Sequence, residues 1–409
     1  MVTSDEIVAK KKILFIYDSM MTGGTTTALL SLINTIDKDK YDISLILYTN
    51  SGAHINDIPD YVHLLLPAYK KGKVPFLNSG QRKIIRTLFN GQCLKAIKAL
   101  VKYRGTPKGK LRYILMHCSM KAQVSLSRVV KERFDIAIGF MEGWADHYVV
   151  SKRITAKKKY VWIHPQYKTC PFVPEIDRPM LRKADGIALV AEECQEQFLE
   201  VFPEFKLKTR IIPNIISTEI ILKKANSETV SIKSGRINLC TVCRCDMKVK
   251  GLDRMVRALS QLKEEGYCEG VVWHVIGDGA DYNSFKNDVE KLNLNDNIIL
   301  YGNRHNPLPF LLKMDMFVLA SRYEGKPVSV TEAQILGLPC LVTSYASASS
   351  QVKQGYNGMI MKNNYEDIYN GLKTVINNPN LICQWKINTK NDDFGNEADI
   401  SKFYNLFEL

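Results

Sequence analysis

The sequence contains no apolar run long enough to cross a membrane. A spanning helix needs about 18 to 20 consecutive apolar residues, and the N-terminal apolar run at 13–17 is too short for the core of a signal peptide. We therefore expect the protein to remain in the cytoplasm. With 409 residues, 45% of them hydrophobic, the chain has enough apolar material for two domains with separate cores.

The cysteine pattern lacks the features of a disulfide framework and of a zinc site. Ten cysteines are scattered along the chain, and only Cys240, Cys243 and Cys245 lie close together. A zinc site would need a second ligand cluster of matching spacing, and the sequence has none. We predict reduced core thiols, no bound metal and no cofactor.

Acidic residues are absent from the segment 61–131, which contains sixteen Lys or Arg residues. The positive charge of this segment exceeds the formal net charge of +14 of the whole chain, so the rest of the chain has a slightly negative balance. Apolar residues at helical spacing within 84–101 predict basic amphipathic helices. Such helices are either an ordinary helix layer with a solvated basic face or a surface that docks on anionic lipid. Nucleic acid is the least favoured partner, because no recognised nucleic-acid motif accompanies the charge.

Alternating apolar runs and helical patterns predict an α/β protein with two doubly wound parallel sheets. The first series runs through strands near 13–17, 43–48, 136–140, 160–163, 186–190 and 209–212. The second begins with strands 237–242, 271–276, 297–301, 316–320 and 340–343. We predict a first domain over 1–213, a polar linker over 214–235, a second domain over 236–387, and a C-terminal tail over 388–409 that packs back on the first domain.

The stretch SRYEGKPVSVTEAQILGLP, residues 321–339, places polar groups at the end of the strand 316–320. Pro327 is compatible with a helix start and Gly337 with a helix end. The free N–H groups of such a helix start form an anion site, and Gly325 allows close backbone approach. Glu324 and Glu332 are about two helical turns apart and suit two separate hydroxyl-rich groups of one long ligand.

Positive charge follows the strand 237–242, because Arg244 comes directly after it and Lys250 opens the next helix. Both side chains can reach the strand-end edge that also holds Glu324. We predict that they bind a diphosphate without a metal ion.

These residues resemble the retaining glycosyltransferases of group 1, also called family 4, which have the GT-B fold. The resemblance is strongest over 237–362 and weaker over the first half of the chain. It rests on Arg244, Lys250-Gly251, Gly277-Asp278-Gly279, Tyr301-Gly302, the stretch from Ser321 to Glu332-Ala333, and Gly337-Leu338-Pro339. Family members have two Rossmann-like domains that face each other across a cleft.

The resemblance implies a role for each matching residue. Arg244 and Lys250 would hold the donor diphosphate, Glu324 the donor sugar and Glu332 the ribose. In the first domain, Gly23-Gly24 resembles the family's glycine loop, and the sequence VWIHP places His164 where polysaccharide-type members have a histidine beside the donor sugar. Glu142 would contact the acceptor. The remaining donor-binding residues would be Gly24, Gly325, Lys326, Pro327, Val328 and Ser329; Lys326 departs from the bulky apolar residue that is usual in the family.

The resulting prediction is a retaining, metal-independent glycosyltransferase. It would move a sugar, most readily from a UDP-sugar, to a saccharide acceptor attached to a lipid, in the biosynthesis of a bacterial surface polysaccharide. The enzyme would be cytoplasmic, with a peripheral position on the inner face of the membrane through 61–131. Two alternatives stay open: a nucleotide-sugar epimerase of the same fold, and a non-catalytic membrane-associated scaffold.

Overall fold

The computed structural model describes residues 10–68, 123–125, 127–170, 172–232 and 235–408. The basic helices predicted within 84–101 lie outside these residues, as does most of the segment 61–131. Among the described residues, no helix has both the length and the apolar character needed to span a membrane.

The first sheet has seven parallel strands. Its central strands are formed by runs of β-branched and other apolar residues that are buried on both faces, whereas the edge strand β3 is exposed. Its spatial order is β3-β2-β1-β4-β5-β6-β7, so the order reverses between β1 and β4. A reversal of this kind opens a crevice at the carboxyl ends of the two strands. The strands are β1 (Lys11–Tyr17), β2 (Tyr41–Leu47), β3 (His63–Leu64), β4 (Arg133–Gly139), β5 (Thr155–Ile163), β6 (Gly186–Leu189) and β7 (Thr209–Ile211).

Helices connect these strands along the chain. They are α1 (Gly24–Thr35), α2 (Trp144–Val149), α3 (Pro174–Leu181) and α4 (Glu192–Val201). A last helix, α13 (Ile400–Asn405), comes from the C-terminus of the chain. Its Phe403 is fully buried and stacks on Phe15 of β1, and its Tyr404 stacks on Tyr41 of β2. The C-terminal residues therefore complete the apolar core of the first sheet.

The second sheet has six parallel strands in the order β10-β9-β8-β11-β12-β13, with its reversal between β8 and β11. The prediction of two doubly wound parallel sheets is thus confirmed. The strands are β8 (Ile237–Val242), β9 (Val271–Ile276), β10 (Ile298–Gly302), β11 (Met316–Leu319), β12 (Cys340–Thr343) and β13 (Gly358–Met361). The helices are α5 (Thr218–Ala225), α6 (Leu252–Glu264), α7 (Tyr282–Lys291), α8 (Leu308–Leu311), α9 (Val328–Ile335), α10 (Ala348–Gln351), α11 (Tyr365–Asn377) and α12 (Pro379–Asn391).

The chain divides into two compact units whose boundaries differ from the predicted ones. The first unit comprises Met1–Met21, Ile33–Pro213 and Asp399–Leu409; the second comprises Thr22–Leu32 and Asn214–Ala398. The predicted linker over 214–235 contains the helix α5, which is capped by the Ser217 hydroxyl.

Residues 388–398 belong to the second unit, whereas the tail predicted to pack on the first domain began at 388. Asn396 accepts a hydrogen bond from the backbone N–H of Ile216 at 2.8 Å, and Glu397 accepts one from Thr218 at 2.7 Å. These side chains hold the start of α5, and only the last eleven residues join the first unit.

Candidate active site

The candidate site lies at the carboxyl edge of the second sheet, beside the two strands that flank its reversal point. The loop 243–251 follows β8, and the loop 320–327 follows β11. In a parallel sheet these strand ends meet at one edge. The backbone N–H of Arg322 donates to the carbonyl of Val249 at 2.8 Å, so the two loops are also joined directly.

An ion pair between Lys250 and Glu324 is the central contact of this edge. The Nζ of Lys250 lies 2.7 Å from Oε1 of Glu324, with side-chain exposures of 19% and 11%. The Ser321 hydroxyl donates to the same carboxylate oxygen at 2.6 Å. Burial disfavours the charge of Lys250, yet the Glu324 carboxylate raises the pKa of the ammonium above its usual value. Lys250 is therefore held in its charged form.

Arg244 adds a second cation close to this pair. Its side chain is exposed, and its charge acts on the Lys250 ammonium. The loop that holds it packs tightly on Gly277, where a Cβ atom would lie only 1.8 Å from the carbonyl oxygen of Cys243. Gly277 also has a φ of +142°, so a residue with a side chain is unfavourable there on both counts. The glycines of the Gly277-Asp278-Gly279 motif thus allow two loops to touch.

The helix α9 begins at the same edge. The helix starts at Val328, as predicted, and runs for eight residues, while Pro327 precedes it in an extended conformation instead of lying in its first turn. Its first N–H groups have no partner within the helix and give its amino end a positive partial charge. Lys326 and Ser329 are half-buried here, while Val328 is buried.

Two residues that sequence reasoning missed form hydrogen bonds to the loop 320–327 and the start of α9. The Gln351 amide donates to the carbonyl of Pro327 at 3.1 Å and to the Thr331 hydroxyl at 3.2 Å. The Ser347 hydroxyl donates to the carbonyl of Gly325. Both residues follow β12, the strand beside β11, and this position after a neighbouring strand is the sequence feature that could have identified them. These hydrogen bonds restrict the conformations of the loop 320–327.

Gly24 and Glu332 contact other parts of the second unit. A Cβ atom on Gly24 would lie 3.6 Å from Cβ of Val328, so this exposed glycine approaches the start of α9. Glu332 lies on the buried face of the helix and is 7% exposed. Burial raises the pKa of the Glu332 carboxyl to about 7, although the positive charge of Lys224 in α5 opposes the shift.

The structure places His164 and Glu142 in the first unit, at the carboxyl edge of the first sheet. Glu142 accepts a hydrogen bond from the backbone N–H of His164, and Nε2 of His164 lies 3.1 Å from the carbonyl oxygen of Phe140. Burial lowers the pKa of His164 to about 4 and raises that of Glu142 to about 7. The two residues therefore form one local cluster, in which Glu142 is half-buried.

Comparisons with known proteins agree on one family. The family described as glycosyl transferases group 1 matches residues 223–392. A curated relative from Escherichia coli, UDP-Gal:alpha-D-GlcNAc-diphosphoundecaprenol alpha-1,3-galactosyltransferase, is 34% identical over 296 residues, which cover 70% of this chain and 72% of that protein. An uncharacterized glycosyltransferase of Methanocaldococcus jannaschii is 26% identical over 41% of this chain and 42% of its own length, so the chain spans less than half of that relative.

The fold has a solved counterpart of nearly the same extent. The Anabaena protein HepE, crystallised in complex with UDP-glucose, superimposes with a TM-score of 0.64 and 15% identity. The match covers 97% of this chain and the whole of the other. At this identity the comparison establishes the fold.

Glu332 should give the protein a measurable dependence of stability on pH. Its pKa is raised from 4.5 to about 7 by folding, so the folded state binds the proton more tightly than the unfolded chain. The stabilising contribution is complete below pH 4.5 and is lost as the pH rises through 7. We expect the free energy of unfolding of Glu332→Gln to rise relative to that of the wild type by about 2 to 3 kcal/mol between pH 5 and pH 8, since one pKa unit corresponds to about 1.4 kcal/mol and part of the shift lies below pH 5.

The measurement is urea unfolding across this pH range. Glu269→Gln, an exposed glutamate of the same unit, is the matched control and should follow the wild type at every pH. A constant difference between Glu332→Gln and the wild type would show that the Glu332 carboxyl is not desolvated.

Proposed function

This chain belongs to the group 1 glycosyltransferases, and we propose that it transfers a sugar from a nucleotide-sugar to a saccharide acceptor with retention of the anomeric configuration. The observation that supports the proposal most is the meeting of Lys250, Glu324 and the amino end of α9 at one sheet edge, with Arg244 nearby. Positive charge and hydroxyl-binding carboxylate are the two chemistries that a sugar diphosphate needs.

The donor diphosphate would occupy the positive part of the edge. Lys250, Arg244 and the free N–H groups of α9 would offset the negative charge that grows on the leaving diphosphate. We propose that these groups take the role that a divalent metal has in other transferases, and that the enzyme requires neither a metal nor a cofactor. Gly24, Gly325, Lys326, Pro327, Val328 and Ser329 would contact the donor around the helix start.

The two glutamates would bind opposite ends of the donor. Glu324 would accept hydrogen bonds from the sugar hydroxyls, and Glu332 from the ribose. The protonation of Glu332 near neutral pH, which follows from its burial, would leave one oxygen as a donor and one as an acceptor. His164 of the first unit would border the transferred sugar.

Retention would proceed by front-face displacement instead of a covalent sugar–enzyme intermediate. The bond from the acceptor oxygen to the anomeric carbon forms as the bond to the diphosphate oxygen breaks, and the acceptor proton passes to that departing oxygen. The state of Glu324 supports this route, because its Oε1 already accepts hydrogen bonds from Lys250 and Ser321 and is a weakened nucleophile.

The E. coli relative supports a UDP-sugar donor and a lipid-linked saccharide acceptor, since its name specifies UDP-galactose and a diphosphoundecaprenol-linked sugar. An acceptor of this type belongs to the assembly of bacterial surface polysaccharides. The basic segment 61–131 would bring the enzyme to an anionic membrane surface where such a lipid lies. At the described ends of this segment, Leu66 and Val129 are 63% and 56% exposed, which suits contact with lipid.

A nucleotide panel would test the donor class. We expect UDP and UDP-sugars, but not GDP- or ADP-sugars, to raise the thermal unfolding temperature, since a ligand at 100 times its Kd stabilises the native state by about 2.7 kcal/mol. Glu332→Ala should lose this protection. Protection by none of the nucleotides would favour a non-catalytic scaffold.

Removal of the Lys250 charge would test the catalytic proposal. With UDP-galactose and α-D-GlcNAc-diphosphoundecaprenol as substrates, Lys250→Met should lower kcat by about 10²- to 10³-fold, as the loss of one preorganised electrostatic donor does in other enzymes. Arg244→Ala should act in the same direction. Radiolabelled sugar transfer measures the rate.

Lys248→Met is the matched control, because this lysine precedes Lys250 by two residues, is 80% exposed and pairs with Asp253 instead of Glu324. It should keep wild-type turnover. Near-normal transfer by Lys250→Met would refute the catalytic role, and conversion of the UDP-sugar without an acceptor would indicate an epimerase.

Vesicle binding would test the membrane proposal. We expect the protein to sediment with phosphatidylglycerol vesicles at low salt and to be released at 1 M salt, where the screening length falls to about 3 Å. Neutral phosphatidylcholine vesicles are the control. Failure to bind anionic vesicles at low salt would exclude electrostatic docking through 61–131.

A further inference from the structure

The segment 343–351, which begins at the last residue of β12, holds the loop 320–327 through three side chains at every fourth position. Each of these side chains donates a hydrogen bond to a backbone carbonyl of the loop, and each donor residue is at most 7% exposed. One neighbouring segment therefore fixes three peptide units of the loop that contains Glu324. The pairs are Thr343 with Ser321, Ser347 with Gly325, and Gln351 with Pro327.

A side chain that holds a carbonyl also orients the N–H group of the next residue. In a planar trans peptide unit the C=O and N–H groups point in opposite directions. The Thr343 hydroxyl lies 2.5 Å from the Ser321 carbonyl oxygen, and the N–H of Arg322, in the same peptide unit, donates to the Val249 carbonyl at 2.8 Å. This peptide unit therefore joins β12 on one side to the loop 243–251 on the other.

The peptide unit at the start of α9 is held in the same way, but its N–H group is left for a ligand. The Gln351 amide donates to the Pro327 carbonyl at 3.1 Å, which orients the N–H of Val328, the first residue of α9. Among the described residues, this N–H donates to no other group. Ser347 orients the N–H of Lys326 in the same manner. Gln351 thus orients the first of the helix N–H groups that bind the donor diphosphate in the proposed function.

The Gln351 side chain is itself held in one orientation. A carbonyl can only accept a hydrogen bond, so the amide NH2 of Gln351, and not its oxygen, faces Pro327. The same NH2 donates to the Thr331 hydroxyl at 3.2 Å, and the amide oxygen accepts from the Tyr345 hydroxyl at 3.3 Å. The backbone carbonyl of Gln351 accepts a further bond from the buried Gln334 amide of α9 at 2.6 Å. Both polar groups of the side chain are therefore satisfied, and α10 is tied to α9 and its start at three points.

Tyr345 connects this arrangement with the ion pair of the candidate site. Its side chain is buried, and burial and then the charge of Glu324 raise the pKa of its hydroxyl well above the usual value. The hydroxyl therefore keeps its proton at physiological pH and can donate to Gln351. Its electrostatic interaction with Glu324 also shows that these hydrogen bonds lie beside the site.

We infer that Gln351 is a positioning residue for sugar transfer, which directs the amino end of α9 toward the leaving diphosphate through its hydrogen bond to Pro327. This inference rests on the proposed glycosyltransferase function. The N–H groups of α9 stabilise charge that grows as the bond to the diphosphate breaks, so a misdirected peptide unit should lower kcat more than it raises the donor KM. A displacement of about 1 Å at a reacting centre can lower a rate by about 10²-fold.

Gln351→Glu tests the inference through its pH dependence. A protonated carboxyl resembles the amide in shape and can donate to the Pro327 carbonyl, whereas an ionised carboxylate only accepts and loses this bond. Burial at this position raises the pKa of a carboxyl, so the variant should be active at low pH and lose activity as the pH rises. We expect its kcat to fall about tenfold or more relative to the control between pH 5 and pH 8, because the protonated fraction falls tenfold per pH unit above the pKa.

Gln354→Glu is the matched control, because this glutamine is exposed and its side-chain oxygen accepts a bond from the backbone N–H of Ile360, which a carboxylate can also accept. The ratio of the two kcat values at each pH cancels the titration of groups that both variants share, Glu332 among them. Radiolabelled transfer from UDP-galactose to α-D-GlcNAc-diphosphoundecaprenol measures kcat per folded molecule and both KM values. The acceptor KM should be the same in the two variants.

Gln351→Met, which keeps the length of the side chain without its polar groups, takes over if Gln351→Glu does not fold. It should lower kcat about ten- to a hundredfold at every pH. A wild-type kcat in Gln351→Met, with only a lower free energy of unfolding, would show a purely structural role and overturn the inference. A ratio of Gln351→Glu to Gln354→Glu that stays near one from pH 5 to pH 8 would do the same.

The wild type separates this inference from the proposed function. Normal transfer and UDP protection in the wild type leave the proposed function standing when either variant contradicts the role of Gln351. Absence of both transfer and UDP protection in the wild type would refute the proposed function, and the inference with it.

Discussion

The ion pair between Lys250 and Glu324 connects the two loops on which the candidate site of the second unit depends. Neither charge would be stable alone at this degree of burial, since an isolated charge in a low-dielectric position loses its hydration without compensation. The pair therefore constrains both loops: the loop after β8 must bring the ammonium to the carboxylate, and the loop after β11 must present the carboxylate. The Arg322 backbone hydrogen bond to Val249 fixes the same spacing.

The same pair explains how the site can exist without ligand and still bind one. In the proposed function, the negative charge of a donor diphosphate would compete with Glu324 for the Lys250 ammonium, and the carboxylate would become available to sugar hydroxyls. The exchange replaces one compensated charge by another, so the energetic cost of leaving an unpaired buried charge is avoided. A lysine suits this role because its ammonium is a compact charge on a flexible stem. Donor binding would then rearrange contacts that already exist.

Much of the second unit could be predicted because local signals agreed with the tertiary structure. The runs Ile237–Val242 and Val271–Ile276 are apolar, short and bounded by polar loops, and they became strands with those limits. The position of Arg244, Lys250 and Glu324 at one sheet edge could be predicted because strand ends in a parallel sheet lie at one edge. The helix α5 was missed because its few buried positions, such as Ile221 and Ala225, make a weak apolar stripe within a polar stretch. Gln351 was missed because its bonds to Pro327 and Thr331 are specified only by tertiary contacts.

The polar groups of the first unit could be predicted less well from the sequence, and the reason is physical. Sequence patterns identify groups that resemble a known motif, such as His164, but burial decides what a carboxyl can do, and burial is a property of the folded chain. Asp18 directly follows a predicted strand and has no distinctive neighbour in sequence, yet the reversal of strand order places it beside Glu142. Its unsatisfied oxygen arises from that placement. In the second unit the Lys250 ammonium and the Glu324 carboxylate compensate each other. In the first unit burial instead raises the pKa values of Asp18, Glu142 and Asp146, and no Lys or Arg of the described residues is among the groups that shift them.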